Sequence, residues 1–221
     1  MRTILQAVFA VLLIGSAELA KAGHHEDALN IEQLAQAFGW DLESADIQSQ
    51  KVADGLYVLF GIGGNIAVSI GEDGVLIVDD QLPQVMDKIE AAISKIGGGK
   101  IDYAINTHWH FDHAEGNNAL GPKGTTIVAH SNARADMQQG GIVNMVVAKY
   151  NQQPYPKEAL PVFTYDKGMQ IHFNQGEIDL RNFSSAHTNG DTVVIFKAHN
   201  AVHMGDVFNN AGYPFIDVDS G

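Results

Sequence analysis

Four side chains that can bind a metal ion lie within six residues of one another. They are His108, His110, Asp112 and His113, and they directly follow an apolar stretch that ends at Asn106. In an extended or turning segment, residues two apart project to the same side, so His108 and His110 can hold one ion together. A turn into a helix at Asp112 and His113 would aim those two side chains at a second ion. Imidazole and carboxylate ligands suit zinc and related divalent ions.

A solvated histidine-rich loop without a metal is the alternative interpretation of this segment. That interpretation suits His24 and His25, which lie beside a predicted cleavage site. It suits the later cluster poorly, because Trp109 and Phe111 alternate with the histidines and indicate a packed segment. Packed histidines need polar partners. The pattern therefore favours a metal centre.

Two further candidate ligands lie at the ends of predicted strands. His187 lies in the polar loop Ser185–Asp191 between two strands, and Asp206 follows a short apolar strand. Loops at strand ends commonly carry chemistry, so both side chains can reach a common site at one edge of the sheets. The remaining histidines of the folded part are predicted to be structural or surface residues: His130, His172, His199 and His203.

The composition excludes several classes of site. The chain has 221 residues and no cysteine, so disulfides, thiolate metal sites and a cysteine nucleophile are excluded. It carries 26 acidic and 13 basic residues, a formal net charge of -13. This acidity argues against a nucleic-acid partner, because binding a phosphate backbone requires a basic face. The length fits one domain or two small ones.

Residues 1–22 are predicted to be a secretory signal peptide. Arg2 is a positive residue ahead of the apolar run Ile4–Ile14, and Ala20 and Ala22 flank Lys21 in a small-residue cleavage pattern. A short membrane anchor is the alternative, but the run is well below the roughly 20 residues that span a bilayer. We therefore expect a periplasmic or secreted protein with no stable membrane insertion after cleavage.

Residues 23–50 are predicted to form an N-terminal extension that contains a helix. Ala28, Ile31, Ala35 and Phe38 recur at helical spacing, and Asp27 is available as the N-cap. Residues 139–161 are predicted to be a long surface excursion that includes one helical turn, because they contain three prolines and a Gly-Gly pair. The glycine-rich turn 61–65 is either a flap over the site or an ordinary hairpin turn.

The rest of the chain shows hairpins followed by alternating strands and helices, which predicts a layered α/β sandwich. The predicted helices are Val85–Ile96, Ala114–Leu120 and Ser131–Met137, the last with Ser131 as its cap. The predicted strands are Gly55–Phe60, Asn65–Ile70, Val75–Val78, Ile101–Asn106, Thr125–Ala129, Met169–Phe173, Ile178–Phe183, Thr192–Phe196 and Val202–Met204.

The motif His108-x-His110-x-Asp112-His113 resembles the signature of the metallo-β-lactamase superfamily. The segment around His187 and the pair Gly205-Asp206 resemble that family's later motifs and fall in its order. The resemblance covers roughly residues 52–206. It implies a four-layer αββα sandwich over residues 51–221, with two metal ions at the open edge between the sheets.

The same resemblance implies a set of ligands. One zinc ion would take His108, His110 and His187, and the other would take Asp112 and His113. Asp206 and a hydroxide would bridge the two ions. The family normally adds another histidine late in the chain, and no residue after Asp206 matches it. We therefore expect an incomplete C-terminal half, a truncated chain and a second metal site that lacks one ligand.

The activity implied by the resemblance is that of a zinc-dependent hydrolase acting on a small molecule. A metal-bridged hydroxide would cleave an ester, lactone, thioester or β-lactam amide, and Asp112 would orient the nucleophile and pass its proton to the leaving group. One alternative is a di-iron redox enzyme of the same fold, although that branch usually places a carboxylate where His110 stands. The other alternative is a non-catalytic metal-binding fragment.

Overall fold

The computed structural model describes residues 28–210 together with 212, 213, 217, 219 and 220. The predicted signal peptide and Asp27 lie outside the described residues. Within the described part of the chain, no helix is both long enough and apolar enough to cross a membrane.

Thirteen strands in the described residues form two sheets and one separate hairpin. The seven-stranded sheet has the order β1-β2-β3-β4-β5-β6-β9, the four-stranded sheet has the order β10-β11-β12-β13, and β7 pairs with β8. The strands are β1 (Gln48–Ala53), β2 (Leu56–Phe60), β3 (Ile66–Gly71), β4 (Gly74–Val78), β5 (Ile101–Ile105), β6 (Thr126–His130), β7 (Gly141–Asn144), β8 (Lys149–Gln152), β9 (Phe163–Tyr165), β10 (Gly168–Phe173), β11 (Gly176–Arg181), β12 (Val193–Phe196) and β13 (Ala201–His203).

Five α-helices lie between these strands in the described residues. They are α1 (Ile31–Phe38), α2 (Met86–Lys95), α3 (Phe111–Ala114), α4 (Asn117–Leu120) and α5 (Ser131–Gln139). Helix α1 begins later than the prediction of Ala28, because Asn30 forms a capping box with Gln33. It ends at Gly39, as predicted, in the left-handed conformation that glycine adopts readily.

The layers are held together by two apolar cores. The first core lies between the helices and the seven-stranded sheet, where Leu34, Ile89 and Phe111 meet Val68 and Ile77. The second lies between the two sheets. The predicted α/β fold class is therefore confirmed, with layers in the order helices, sheet, sheet. The second helical layer of the αββα sandwich does not lie among the described residues.

The excursion 139–161 is more ordered than the sequence analysis predicts. It contains the β7–β8 hairpin, whose Tyr150 ring packs on Phe111 with the centroids 4.6 Å apart. The amide of Gln152 donates to the backbone oxygen of Trp109 over 2.6 Å. Strands of four residues are too short to show a clear alternation, so the sequence pattern could not reveal them.

One smaller prediction is wrong, and two strands were missed. Ser131 is the first residue of α5 rather than its cap, because the Nδ1 atom of His130 accepts the Asn132 N–H over 3.1 Å. Strands β1 and β9 were not predicted, and both are strands of the seven-stranded sheet. Strand β1 is almost wholly exposed, so it lacks the apolar pattern of a buried strand.

The sheet topology brings the predicted metal ligands to one edge of the sheets. Strands β4, β5 and β6 are parallel neighbours, so their carboxyl ends lie side by side. Asp79 follows β4 and the segment 106–110 follows β5. In α/β sheets this edge is where ligands bind. The connection between β11 and β12 carries His187 to the same place, and the end of β13 carries Asp206.

Candidate metal centre

Five of the six predicted metal ligands converge into two overlapping groups. His108, His110 and His187 form the first group, and His108, His113 and Asp206 form the second. In each group the ligand atoms lie within 4.8 Å of one another. His108 belongs to both groups, so the two groups share one imidazole at their centre.

Asp112, the sixth predicted ligand, lies beside the second group. It occupies the first turn of α3, and its Oδ2 is 3.7 Å from the Nε2 atom of His113. The four histidines are almost completely buried, whereas the side chains of Asp112 and Asp206 are 25% and 43% exposed. The carboxylates therefore form the side of the site that faces solvent.

Asp79 fixes the orientation of His108 through a neighbouring hydroxyl. The Thr107 hydroxyl donates to the Asp79 Oδ2 over 2.9 Å, so its only proton is used there. The His108 Nδ1 atom lies 3.0 Å from the same hydroxyl oxygen and must donate to it. This leaves the Nε2 atom of His108 without a proton and able to bind an ion.

Asp79 also fixes the orientation of His113. Its Oδ2 lies 2.7 Å from the Nδ1 atom of His113, so Nδ1 donates and Nε2 points to the carboxylate of Asp206. Asp79 is fully buried and has a φ of 64°, a left-handed conformation that non-glycine residues seldom adopt. One strained, buried carboxylate therefore orients two of the four histidines.

His110 has a different partner. Its Nε2 atom lies 2.9 Å from the Oδ2 of Asp217, and its Nδ1 atom lies 2.9 Å from the Nε2 atom of His187. A carboxylate only accepts, so Nε2 carries the proton and Nδ1 is left to face His187. A divalent ion is the natural partner for two imidazole nitrogens that approach each other in this way.

The loop of His187 is held by Asp191. The carboxylate of Asp191 accepts the backbone N–H groups of His187 and Thr188 over 2.7 and 3.0 Å, and the Thr188 hydroxyl over 2.7 Å. This network fixes the loop backbone, so His187 reaches the first group from a firmly held position.

The pKa of His113 is shifted in the opposite direction to the pKa values of His108 and His110. Burial and the neighbouring histidines hold the pKa of His108 well below its ordinary value. Burial also lowers the pKa of His110, although Asp217 opposes this effect. For His113, burial is outweighed by the carboxylates of Asp112, Asp206 and Asp79, which raise its pKa well above the ordinary value.

The residues present fit a divalent metal ion. In the part of the chain that the structure describes, the Nε2 atom of His108 is buried and has no hydrogen-bond partner. An orphaned buried nitrogen is costly unless something binds it. The surrounding donors are imidazole nitrogens and carboxylate oxygens, the ligands that zinc takes in catalytic sites.

The glycine-rich turn between β2 and β3 packs directly against these residues. The Gly64 N–H donates to the backbone oxygen of Asp112 over 3.0 Å. A Cβ atom built on Gly64 would overlap the imidazole ring of His113, and one on Gly63 would lie 2.6 Å from the Asp112 backbone oxygen. The turn therefore supports the metal-binding segment, which is a third possibility beside the predicted flap or simple turn.

The other histidines have structural partners or face solvent. His130 donates to the Asp166 carbonyl, His199 to the Asp54 carbonyl and His203 to the Asn65 carbonyl. His172 is exposed on β10. None of the four belongs to either of the two groups of ligand atoms found among the described residues.

The family of the chain follows from a comparison with protein-family models. The model described as the metallo-beta-lactamase superfamily matches residues 61–221, which is most of the chain. The chain belongs to the metallo-β-lactamase superfamily. A search of curated proteins found no match.

Solved metallo-β-lactamases share the fold at low sequence identity. The enzyme with a HARLDQ motif from Cronobacter sakazakii matches with a TM-score of 0.62 and 20% identity over 79% of this chain and 71% of that one. FEZ-1 from Legionella gormanii matches with a TM-score of 0.61 and 19% identity over 78% and 68%. BJP-1 from Bradyrhizobium japonicum, a subclass B3 enzyme, matches with a TM-score of 0.58 and 20% identity over 69% and 58%.

Three supporting residues of this superfamily member were not singled out by the sequence analysis. Asp79 could have been found, because it follows a buried strand at the edge where the metal motif also lies. Asp191 lies four residues after His187, in the same loop. Asp side chains often accept hydrogen bonds from backbone N–H groups of their own loop, so Asp191 could have been found as well. Asp217 lies 107 positions from His110, and no local pattern links the two.

Proposed function

We propose that this protein is a zinc-dependent hydrolase that holds two ions and cleaves a small carbonyl substrate: an ester, lactone, thioester or β-lactam amide. The observation that carries the proposal is the buried Nε2 atom of His108. In the described residues nothing hydrogen-bonds to it, and it lies within both groups of ligand atoms.

The proposed ligands divide between the two ions. The Nε2 atom of His108, the Nδ1 atom of His110 and the Nε2 atom of His187 would hold the first ion. Asp112 and the Nε2 atom of His113 would hold the second. Asp206 would contribute to both sites, and two distances support this role: its Oδ1 lies 3.1 Å from His113 Nε2, and its Oδ2 lies 3.7 Å from His187 Nε2.

Divalent ions at this site would polarise a substrate carbonyl and lower the pKa of water towards neutrality. Asp79 holds the rings of His108 and His113 in fixed tautomers. Asp112 is partly exposed, so it can reach the nucleophile, orient it and later deliver a proton to the leaving group. In this proposal no side chain forms a covalent bond to the substrate.

The cleft beside the site supports a small, largely neutral substrate. It has a volume of about 610 Å³ and is lined by His113 and Asp206 at one end and by apolar residues such as Met204 and Phe208. Its lining, as far as the described residues go, contains no lysine or arginine. A nucleic acid needs such cations for its phosphates, so it suits this cleft poorly. The similar solved structures are named as β-lactamases, which keeps a β-lactam amide among the candidates.

The proposal extends to the organisation and location of the chain. Residues 1–22 act as a signal peptide, residues 23–50 form an extension, and residues 51–221 form the metallo-β-lactamase domain. Export places the protein in the periplasm or outside the cell. Leu34 of the extension lies in the main core, and Leu29 bridges to Tyr150, so the extension is packed onto the domain.

Zinc content tests the ligand assignment directly. His108→Ala should lose most of the bound zinc, because this imidazole belongs to both groups, whereas the wild type should hold about two equivalents. His172→Ala removes an exposed histidine and should keep the wild-type content. Zinc and iron would be measured by mass spectrometry on purified protein. Wild-type zinc in His108→Ala would refute the assignment, and two equivalents of iron in the wild type would favour a redox enzyme.

Hydrolysis assays test the reaction. Zinc-loaded wild-type protein would be assayed with nitrocefin, an acyl lactone and a thioester, and Asp206→Asn would serve as the impaired variant. We expect at least one substrate to be cleaved by the wild type and more slowly by Asp206→Asn, with both proteins folded. Full zinc occupancy without turnover of any substrate would favour the non-catalytic alternative.

A further inference from the structure

We propose that Asp217 is a positioning residue that holds His110 in the tautomer whose Nδ1 atom faces the first ion, an inference that rests on the proposed function. Asp217 lies 11 positions beyond the last predicted ligand in the chain, and nothing in the sequence pattern assigns it a role. Its carboxylate is fully buried, and its Oδ2 lies 2.9 Å from the Nε2 atom of His110.

The direction of this hydrogen bond decides the tautomer. An ionised carboxylate has no proton to give, so the bond requires a proton on the Nε2 atom of His110. The lone pair of His110 therefore lies on Nδ1, and the Nε2 atom of His187 is 2.9 Å away from it.

The position of the carboxylate is itself fixed by its neighbours. The Ser220 hydroxyl donates to Asp217 Oδ2 over 2.6 Å, and the indole N–H of Trp109 donates to that hydroxyl over 3.1 Å. The N–H of Asp219 donates to the other oxygen over 3.2 Å. Trp109 directly precedes His110, so this chain of bonds begins and ends on the metal-binding segment.

The same short segment also holds the loop of His187. The Asp217 N–H donates to the His187 carbonyl over 3.0 Å, and the Asn189 N–H donates to the Ser220 carbonyl over 2.6 Å. Asp217 therefore contacts two of the three histidines of the first group. His108 and His113 depend on Asp79 instead, so loss of Asp217 should weaken the first ion and leave the second unchanged.

The tautomer of His110 provides a test that needs no metal. Two-bond nitrogen–proton correlation spectra of zinc-free, histidine-labelled protein would report the protonated nitrogen, with His110→Gln used to assign the signal. The wild type should show His110 as a single Nε2–H tautomer. Asp217→Ala and Asp217→Asn should show both tautomers, because neither has a purely accepting group. Asp219→Asn changes an exposed neighbouring carboxylate and serves as the matched control.

Zinc affinity provides the second readout. Chelator competition should show one of the two ions bound about 10–100-fold more weakly in Asp217→Ala, the other as in the wild type, and a smaller shift for Ser220→Ala. A single Nε2–H tautomer in the Asp217 variants, wild-type zinc affinity, or equal weakening of both ions would each overturn the inference.

The two proposals fail in distinguishable ways. If the wild type binds no zinc, the proposed function fails, yet the tautomer spectra still decide the role of Asp217 in orienting His110. If Asp217→Ala does not fold, Asp217→Asn and Ser220→Ala keep the packing closer to the wild type and carry the same two measurements.

Discussion

Glu115 is a buried carboxyl group close to the metal centre that the proposed chemistry does not use. It is 7% exposed, and the Tyr150 hydroxyl donates to its Oε1 over 2.7 Å. Burial raises the pKa of Glu115 to about 7, although the hydrogen bond from Tyr150 opposes this. In the unfolded chain the ordinary value of 4.5 applies, so the folded protein binds this proton more tightly.

The pH dependence of stability follows from that difference. The contribution of Glu115 to the free energy of unfolding is fully present below about pH 4.5. It is lost as the pH rises through about 7, and this lowers the free energy of unfolding by roughly 3 kcal/mol at most. Glu115→Gln keeps an acceptor for Tyr150 and should remove this loss. Urea unfolding of zinc-free protein at about pH 5 and about pH 8 would measure it. The exposed Glu158→Gln is the control, and an unchanged pH slope in Glu115→Gln would contradict the prediction.

The residues of the metal motif could be predicted from the sequence because their spacing is local. His108, His110 and His113 follow one strand, and a period-two pattern places the first two on one side. The partner of His110 could not be predicted, because Asp217 reaches it through the tertiary fold. Hydrogen bonds between distant segments leave no periodic trace in a single sequence.

At the scale of elements, the turn between β2 and β3 determines where α3 can lie. Gly64→Ala should push the His113 ring out of place, because the new Cβ would overlap it. A displacement of about 1 Å at a catalytic group can cost on the order of 100-fold in rate. The measurements are zinc content and hydrolysis rate of the folded variant.

Gly99→Ala provides the control for this prediction. Gly99 is exposed, has ordinary backbone angles, and a Cβ built on it meets nothing within 4 Å. It should therefore keep full zinc content and activity. If Gly64→Ala keeps the zinc content and hydrolysis rate of the wild type, the turn can move to accommodate the new Cβ and does not fix the position of His113.

The elements that could be predicted are those with long apolar patterns. Strand β4 is almost wholly buried and α2 has a clear apolar stripe, so both were predicted within about two residues of their ends. Strand β1 is held by its pairing with β2, and β9 by its pairing with β6. The partner strand comes next in the chain for β1 and lies far away in the sequence for β9. In both cases pairing with another strand, rather than an apolar pattern of the segment itself, makes the segment a strand.

At the scale of the whole molecule, the metal centre joins segments from distant parts of the chain. Ligands and their supports come from the ends of β4, β5 and β13, from the loop before β12, and from Asp217 and Ser220. Anything that binds this assembled site and not the unfolded chain must stabilise the fold.

Zinc should therefore raise the melting temperature. At a free zinc concentration about 100 times the dissociation constant, the free energy of unfolding rises by about 2.7 kcal/mol. For a chain of this size this raises the melting temperature by roughly 5–10 °C. Thermal unfolding with zinc or with a chelator would measure it. His108→Ala should show little of this shift. Identical melting temperatures of the wild type under both conditions would contradict a folded-state metal site.

The left-handed backbone of Asp79 has a consequence for how this site could change under mutation. The conformation costs on the order of 1 kcal/mol, and glycine would relieve it. Glycine would also remove the acceptor on which Thr107 and His113 depend. A substitution that relieves the backbone strain would thus leave the imidazole rings of His108 and His113 free to rotate. At Asp79, a more stable backbone and correctly oriented metal ligands therefore require different residues. Selection for stability alone would favour glycine at this position and would weaken the metal site.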